Sequence, residues 1–217
     1  MNVNPDIFKA YDIRGLYPEE INDTVARLIG RGFAAYLQTP TIGMSRDMRL
    51  SSPALASAFI DGVREQGTNV IDYGMMGTDM LYFAMIRDGL GGGAQITASH
   101  NPKQYNGVKM VRAGALPLSG DAGIGDIRDM IVNGRLPAPA ATPGAIETRE
   151  VVPDYLEKVM SFIDPSVIKP FSVVLDAGSG MAGLTAPPIF ERLPCKTTAL
   201  CCEIDGNFPN HESNPLI

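Results

Sequence analysis

Cysteine and histidine are scarce. The 217 residues hold three cysteines, Cys195, Cys201 and Cys202, and two histidines, His100 and His211. No C-x-x-C pair occurs among them, so the spacing argues against a zinc site and against a disulfide framework. Reduced thiols on a half-buried strand are expected instead. Long apolar runs are also missing: none approaches the ~18–20 residues that a membrane span needs. The first residues, MNVNPDIFKAYDIRG, lack the charged start and apolar core of a signal peptide, and a cytoplasmic protein with no membrane partner is expected. There is no basic excess either. Eighteen Lys and Arg stand against 24 Asp and Glu, a formal net charge of -6, so the positive field that nucleic acid or an anionic membrane would use is absent. An anionic substrate then requires a local concentration of Arg and Lys. What remains, 45% hydrophobic and 19% charged residues, is the composition of a globular protein of one or two domains.

Hydrophobic spacing gives an alternation of helices and strands. Residues 22–37 place Val25, Leu28, Ile29, Phe33 and Tyr36 at helical intervals, with Asn22 or Asp23 as N-cap. TIGM at 41–44 reads as a strand. Ser51-Ser52-Pro53 opens a second helix with Leu55, Ala58, Phe59 and Val63 on one face, and Gly67 ends it. TNVID at 68–72 is the next strand. Thr78 caps a third helix to about Arg87, with Leu81, Ala84 and Met85 inward. Gly89 to Gly93 reads as a flexible connection, AQIT at 94–97 as a strand and GVKMV at 107–111 as its neighbour. Residues 134–150, rich in Pro, Ala and Gly, read as a linker or extended crossover. Beyond them PDYLEKVMSFI is helical, FSVVLD a strand, MAGLTAPPIFERL a helix interrupted at Pro187-Pro188, and KTTALCCE a strand. The pattern predicts an α/β layered domain over 1–145 and a second, smaller unit over 146–217. In such folds ligands gather at the carboxyl ends of strands, where the loop ASHNPKQYNG falls.

That loop is the densest polar cluster: Thr97, Ser99, His100, Asn101 and Lys103, then Tyr105, Asn106 and Lys109. A serine hydroxyl is a weak nucleophile and needs a base, a metal or a positive field. His100 supplies a candidate base, although neighbouring side chains usually point apart. Lys109 supplies positive charge for a phosphoryl or oxyanion group, and Pro102 stiffens the backbone. On residue types alone the cluster also fits an ordinary surface turn.

T-A-S-H-N-P-x-x-Y-N-G-x-K resembles the active-site loop of the α-D-phosphohexomutases, the family of phosphomannomutase and phosphoglucomutase. FKAYDIRG at 8–15 resembles that family's N-terminal signature, and RDMRLSSPALASAF at 46–59 its next conserved stretch. TDMLYFA at 78–84, VVLDAGSGMAG at 173–183 and EIDGNFPNHESNP at 203–215 are similar as well, so the resemblance runs along nearly the whole chain. It implies a three-layer, mixed-sheet first domain carrying the phosphoserine loop, and an incomplete second domain of similar type. It implies Ser99 as the phosphoserine, which passes its phosphoryl group to a hexose phosphate through a bound 1,6-bisphosphate. By the same resemblance Arg14 and Lys109 lie near the transferring group, His100 handles a proton or orients Ser99, and Tyr11 lines the sugar site. Mg²⁺ would touch a phosphate oxygen on Ser99 and otherwise take carboxylates, and glucose 1,6-bisphosphate or an equivalent would serve as activator.

The family's second-domain metal loop, of D-G-D-x-D-R type, has no counterpart here, and the sugar-recognition and phosphate-clamping loops of the third and fourth domains would lie beyond Ile217. The expectation is a chain inactive alone. Glu203 and Asp205 are expected to be structural, and Arg46 and Arg49 to form a solvated turn that at most supports the loop electrostatically. A second class of reading is a non-catalytic sugar-phosphate-binding or regulatory module derived from a mutase. A third is a dinucleotide-binding protein: Gly178, Gly180 and Gly183 fit G-x-G-x-x-G after a strand, with Glu203 at the acidic position near the end of the next. Nothing in the residues signals an oligomeric state.

Overall fold

The computed structural model describes residues 3–214. Four parallel strands form the centre of the larger sheet: β2 (Thr41–Arg46), β3 (Asn69–Met75), β4 (Gly92–Ile96) and, at one edge, β7 (Ile146–Thr148). On the other side β5 (Tyr105–Arg112) runs antiparallel to β4, and β1 (Ile13–Leu16) antiparallel to β5. The order is β1-β5-β4-β2-β3-β7, with the short β6 (Leu116–Pro117) hung on β5.

Two apolar cores lie on opposite faces of this sheet. One joins α1 (Asp23–Leu37), α2 (Ser52–Glu65) and α4 (Ile124–Val132) through Ile29, Phe33, Phe59, Val63 and Ile127 to Ile42, Val70 and Ile96 of the strands. The other sets Met80, Leu81 and Met85 of α3 (Thr78–Arg87) against Ile71, Tyr73 and Val111. Val70 and Ile71 serve different cores because successive strand residues face opposite ways. Each large side chain buried contributes about 1.5–3 kcal/mol. Glycine sets the spacing of α1 and α2: a Cβ on Gly30 would stand 2.2 Å from the Phe59 carbonyl oxygen, and one on Gly62 2.0 Å from that of Arg27.

The termini follow from local chemistry. Asn22 caps α1, its side chain accepting the Val25 N–H at 3.2 Å, and Pro53 occupies the first turn of α2. Gly67 follows α2 with φ of 81°, a left-handed turn that glycine adopts without strain. Two expectations are corrected. The N-cap of α3 is Gly77, with Thr78 already helical. Gly92 and Gly93 are not in a flexible connection: they belong to β4, which is buried throughout.

The linker contains β7, which hydrogen-bonds to β3 and so extends the first sheet. Beyond it come α5 (Val152–Met160), β8 (Ser172–Asp176), α6 (Ala182–Phe190) and β9 (Lys196–Leu200). β8 and β9 pair in parallel as a separate two-stranded sheet. Every residue of β9 is exposed, and the strand ends at Leu200. The cysteines are therefore not on a half-buried strand: Cys195 precedes β9, Cys201 and Cys202 follow it, and all three are partly exposed.

Candidate active site

The loop of residues 97–104 leaves the carboxyl end of β4, and Asp47 and Arg49 leave the adjacent end of β2. Arg49 is buried, with 1% of its side chain exposed. All five of its N–H donors are used. Nε donates to Asp47 Oδ2 at 3.2 Å. One terminal nitrogen donates to the carbonyls of Pro102 (2.9 Å) and Tyr105 (3.0 Å), the other to those of Ser99 (2.9 Å) and Asn101 (2.7 Å). The planar guanidinium fork suits this task and an ammonium does not. Burial lowers the Arg49 pKa, and the Asp47 carboxylate opposes that shift. Phe208 of the second unit covers the guanidinium, its ring centroid 5.4 Å away. The solvated turn expected at Arg49 is thus the buried clamp of the loop.

Asn106 explains a further part of the sequence pattern. It is buried, and its amide donates to Ser51 Oγ at 2.8 Å and Ser52 Oγ at 3.1 Å. The S-S-P and Y-N-G segments are thereby joined. A Cβ on Gly107 would come within 2.0 Å of the Ile13 carbonyl oxygen, so glycine lets β1 lie against β5. That pairing sets Arg14 opposite Gly107.

Ser99 stands at the loop tip with φ of 54°, its N–H donating to Thr97 Oγ1 at 2.9 Å. Its side chain and that of His100 are exposed. His100 Nδ1 lies 3.5 Å from Ser99 Oγ, longer than an effective proton-transfer hydrogen bond. Arg14 donates to Asn101 Oδ1 at 2.9 Å and pairs with Asp12, and Lys109 Nζ lies 3.5 Å from the same Asp12 carboxylate. Asp12 is the residue that sequence reasoning missed. The signal was available, an acid two positions before Arg14 in the same motif. Tyr11 is 77% exposed. A cavity of about 460 Å³ opens between the loop and the second unit, bordered by Thr97, Ser99, His100, Asp176 and His211. Arg14, Lys109 and Tyr11 are not on its wall.

Around Ser99 the described residues offer no oxygen cage of the kind Mg²⁺ takes. Asp47, on the same cavity wall, already accepts from Arg49 and, at 2.6 Å, from Ser52 Oγ. The residues present do not by themselves fit a Mg²⁺ site.

The turn from β8 into α6 has the strand-turn-helix form of a dinucleotide fingerprint, but its details differ. Asp176 accepts the Gly178 N–H at 2.9 Å, a donor that a pyrophosphate would need. Glu203 lies past the end of β9. Gly183 serves packing, since a Cβ there would meet the Cys202 carbonyl at 2.2 Å. Asp205 Oδ1 accepts the Asn207 N–H at 2.8 Å within its own turn, a structural role.

Comparison with known proteins supplies the family. The model for phosphoglucomutase/phosphomannomutase α/β/α domain I matches residues 5–135, and that for domain II matches 153–217. A protein of Xanthomonas campestris named "Phosphohexose mutases" is 44% identical over 211 residues, covering 97% of this chain and 47% of the relative. A phosphomannomutase of Salmonella typhimurium is 38% identical over 220 residues, with 97% and 47% coverage. The solved structure of a phosphoglucomutase/phosphomannomutase family protein from Burkholderia thailandensis superposes with a TM-score of 0.89 at 37% identity, over 99% of this chain and 48% of that one. The chain spans about half the length of the relatives it matches.

Proposed function

Because this chain belongs to the phosphoglucomutase/phosphomannomutase family, we propose that it supplies the phosphoserine part of a phosphohexose mutase, with Ser99 as the carrier. The observation that supports this most is the pairing of an exposed Ser99 hydroxyl with a loop backbone fixed by the buried Arg49. Phosphoryl transfer is mainly a matter of positioning and charge neutralisation, and a fixed loop holds the transferring oxygen in place.

In the forward step the bond between phosphorus and Ser99 Oγ breaks, and a new one forms to a free hydroxyl of a hexose monophosphate. The sugar hydroxyl gives up its proton, Ser99 Oγ takes one up as it leaves phosphorus, and a 1,6-bisphosphate results. After the sugar turns over, the other phosphate returns to Ser99 Oγ, and the net change is isomerisation between the 1- and 6-phosphates. His100, with Nδ1 3.5 Å from Ser99 Oγ, is the candidate to receive and return the proton once the two draw closer. Arg14 and Lys109 supply positive charge next to the loop, their own repulsion eased by Asp12.

The proposal is tested by intact mass after exposure to glucose 1,6-bisphosphate and Mg²⁺. One added phosphoryl group, lost in Ser99→Ala, is expected. A chain that binds the sugar phosphate and stays unmodified would favour the non-catalytic module instead.

A further inference from the structure

The turn after β8 and the loop after β9 bring together three side chains that the phosphoryl chemistry does not use. Asp176, Cys201 and His211 each offer a ligand atom, and these atoms lie within 4.8 Å of one another. The Ser179 N–H donates to the Cys201 carbonyl at 2.7 Å, which ties the two segments at this point. His211 is fixed from both sides. Its Nδ1 is 2.8 Å from the Glu212 carbonyl oxygen, an acceptor, so Nδ1 carries hydrogen and donates. Its Nε2 is 3.1 Å and 3.3 Å from the two oxygens of Asp176, again acceptors. Two lone-pair atoms facing each other require a cation or a second proton between them. An imidazole that donates through one nitrogen to a backbone carbonyl presents the other as metallated histidines do. The Gly178 N–H and the Cys201 thiol both hydrogen-bond to the Asp176 carboxylate, so a metal bound here takes the place of the thiol proton.

We infer that Asp176, Cys201 and His211 form a binding site for a borderline-soft divalent cation of the Zn²⁺ class. One nitrogen, one sulfur and one oxygen are a zinc-type donor set, whereas Mg²⁺ and Ca²⁺ take oxygen alone. Atoms bound to tetrahedral zinc at about 2.0–2.3 Å lie about 3.3–3.8 Å apart. The Asp176–His211 pair is already that close, and the thiol, within 4.8 Å of both, closes by up to about 1.3 Å. Three protein ligands leave a fourth position for water or for a ligand from the cavity that Asp176 and His211 share with Ser99. Cysteine and histidine spacing carries no sign of this site, because Asp176 ends β8 while Cys201 and His211 lie ten residues apart in the segment after β9.

The test is titration of the metal-free chain with Co²⁺, followed by Zn²⁺. One equivalent of Co²⁺ should produce a thiolate-to-cobalt charge-transfer band that Zn²⁺ abolishes. Cys201→Ser and His211→Ala should each weaken binding by more than about tenfold, while Cys195→Ser and Cys202→Ser leave it intact. A measurement on the unaltered chain covers the case of a misfolded variant: Zn²⁺, but not Mg²⁺, should protect Cys201 from alkylation mapped by peptide mass. No charge-transfer band, a band that survives Cys201→Ser or His211→Ala, or no protection of Cys201 would overturn the inference and leave a proton-bridged pair.

Discussion

At the scale of single residues, Arg49 decides the shape of the serine loop. Its five hydrogen bonds gather the carbonyls of Ser99, Asn101, Pro102 and Tyr105 and the carboxylate of Asp47 around one buried cation. Arg49→Lys keeps the charge and offers only three donors, so at least two acceptors lose their partner. The expected cost is about 2–4 kcal/mol, read by urea denaturation, together with slower phosphorylation of Ser99. A variant as stable as the parent, loading Ser99 at the same rate, would remove Arg49 from this role. The serine was legible in the sequence because the motif around it is long. The clamp was not, because an arginine in a polar turn looks solvated until the turn is seen folded over it. Asp12 escaped for a related reason: its value lies in being shared by Arg14 and Lys109, which are distant in sequence.

At the scale of elements, Asp88 joins pieces that the sequence showed as separate. It ends α3, accepts the Tyr73 hydroxyl of β3 at 2.5 Å, and pairs with Arg87 at 2.8 Å and with Arg149, just past β7, at 2.9 Å. Burial alone would raise the Asp88 pKa. Hydrogen bonds from Arg87, Tyr73 and Arg149 outweigh it and hold the carboxyl at about 2. The folded value lies below the unfolded one of about 3.9. The stabilisation from this group is therefore complete above about pH 4 and lost as pH falls toward 2. Denaturation midpoints measured across that window should decline, and Asp88→Asn should flatten the decline; an equal slope in both proteins would exclude this linkage. Helical and strand periodicity alone makes α1, α2, α3 and the central strands legible. β7 was hidden because three residues in a Pro- and Ala-rich stretch carry no period, and only the unpaired edge of β3 makes them a strand. The glycines of β4 misled for the opposite reason, since flexibility in isolation says nothing about a strand buried on both faces.

At the scale of the molecule, the two units are unequal. The first buries two cores around its sheet. The second leaves Phe162, Phe171, Val174 and Leu200 exposed beside a two-stranded sheet, less than such a sheet needs for independent stability. Apolar surface of this kind drives association. The chain is expected to bind a hydrophobic dye and to self-associate with rising concentration, and Phe171→Lys should reduce both; a dye-silent monomer at high concentration would count against it. The relatives, about twice as long, are similar to it over the half that contains the serine loop. The most direct measurement is of the return transfer: the isolated phosphorylated chain is mixed with glucose 6-phosphate and Mg²⁺ and followed by phosphorus NMR. If Ser99 is the carrier, the phosphoserine resonance disappears as a 1,6-bisphosphate appears, and Ser99→Ala shows neither signal. Phosphate carried by a residue other than Ser99, or a 1,6-bisphosphate formed by the Ser99→Ala chain, would contradict Ser99 as the phosphoryl carrier.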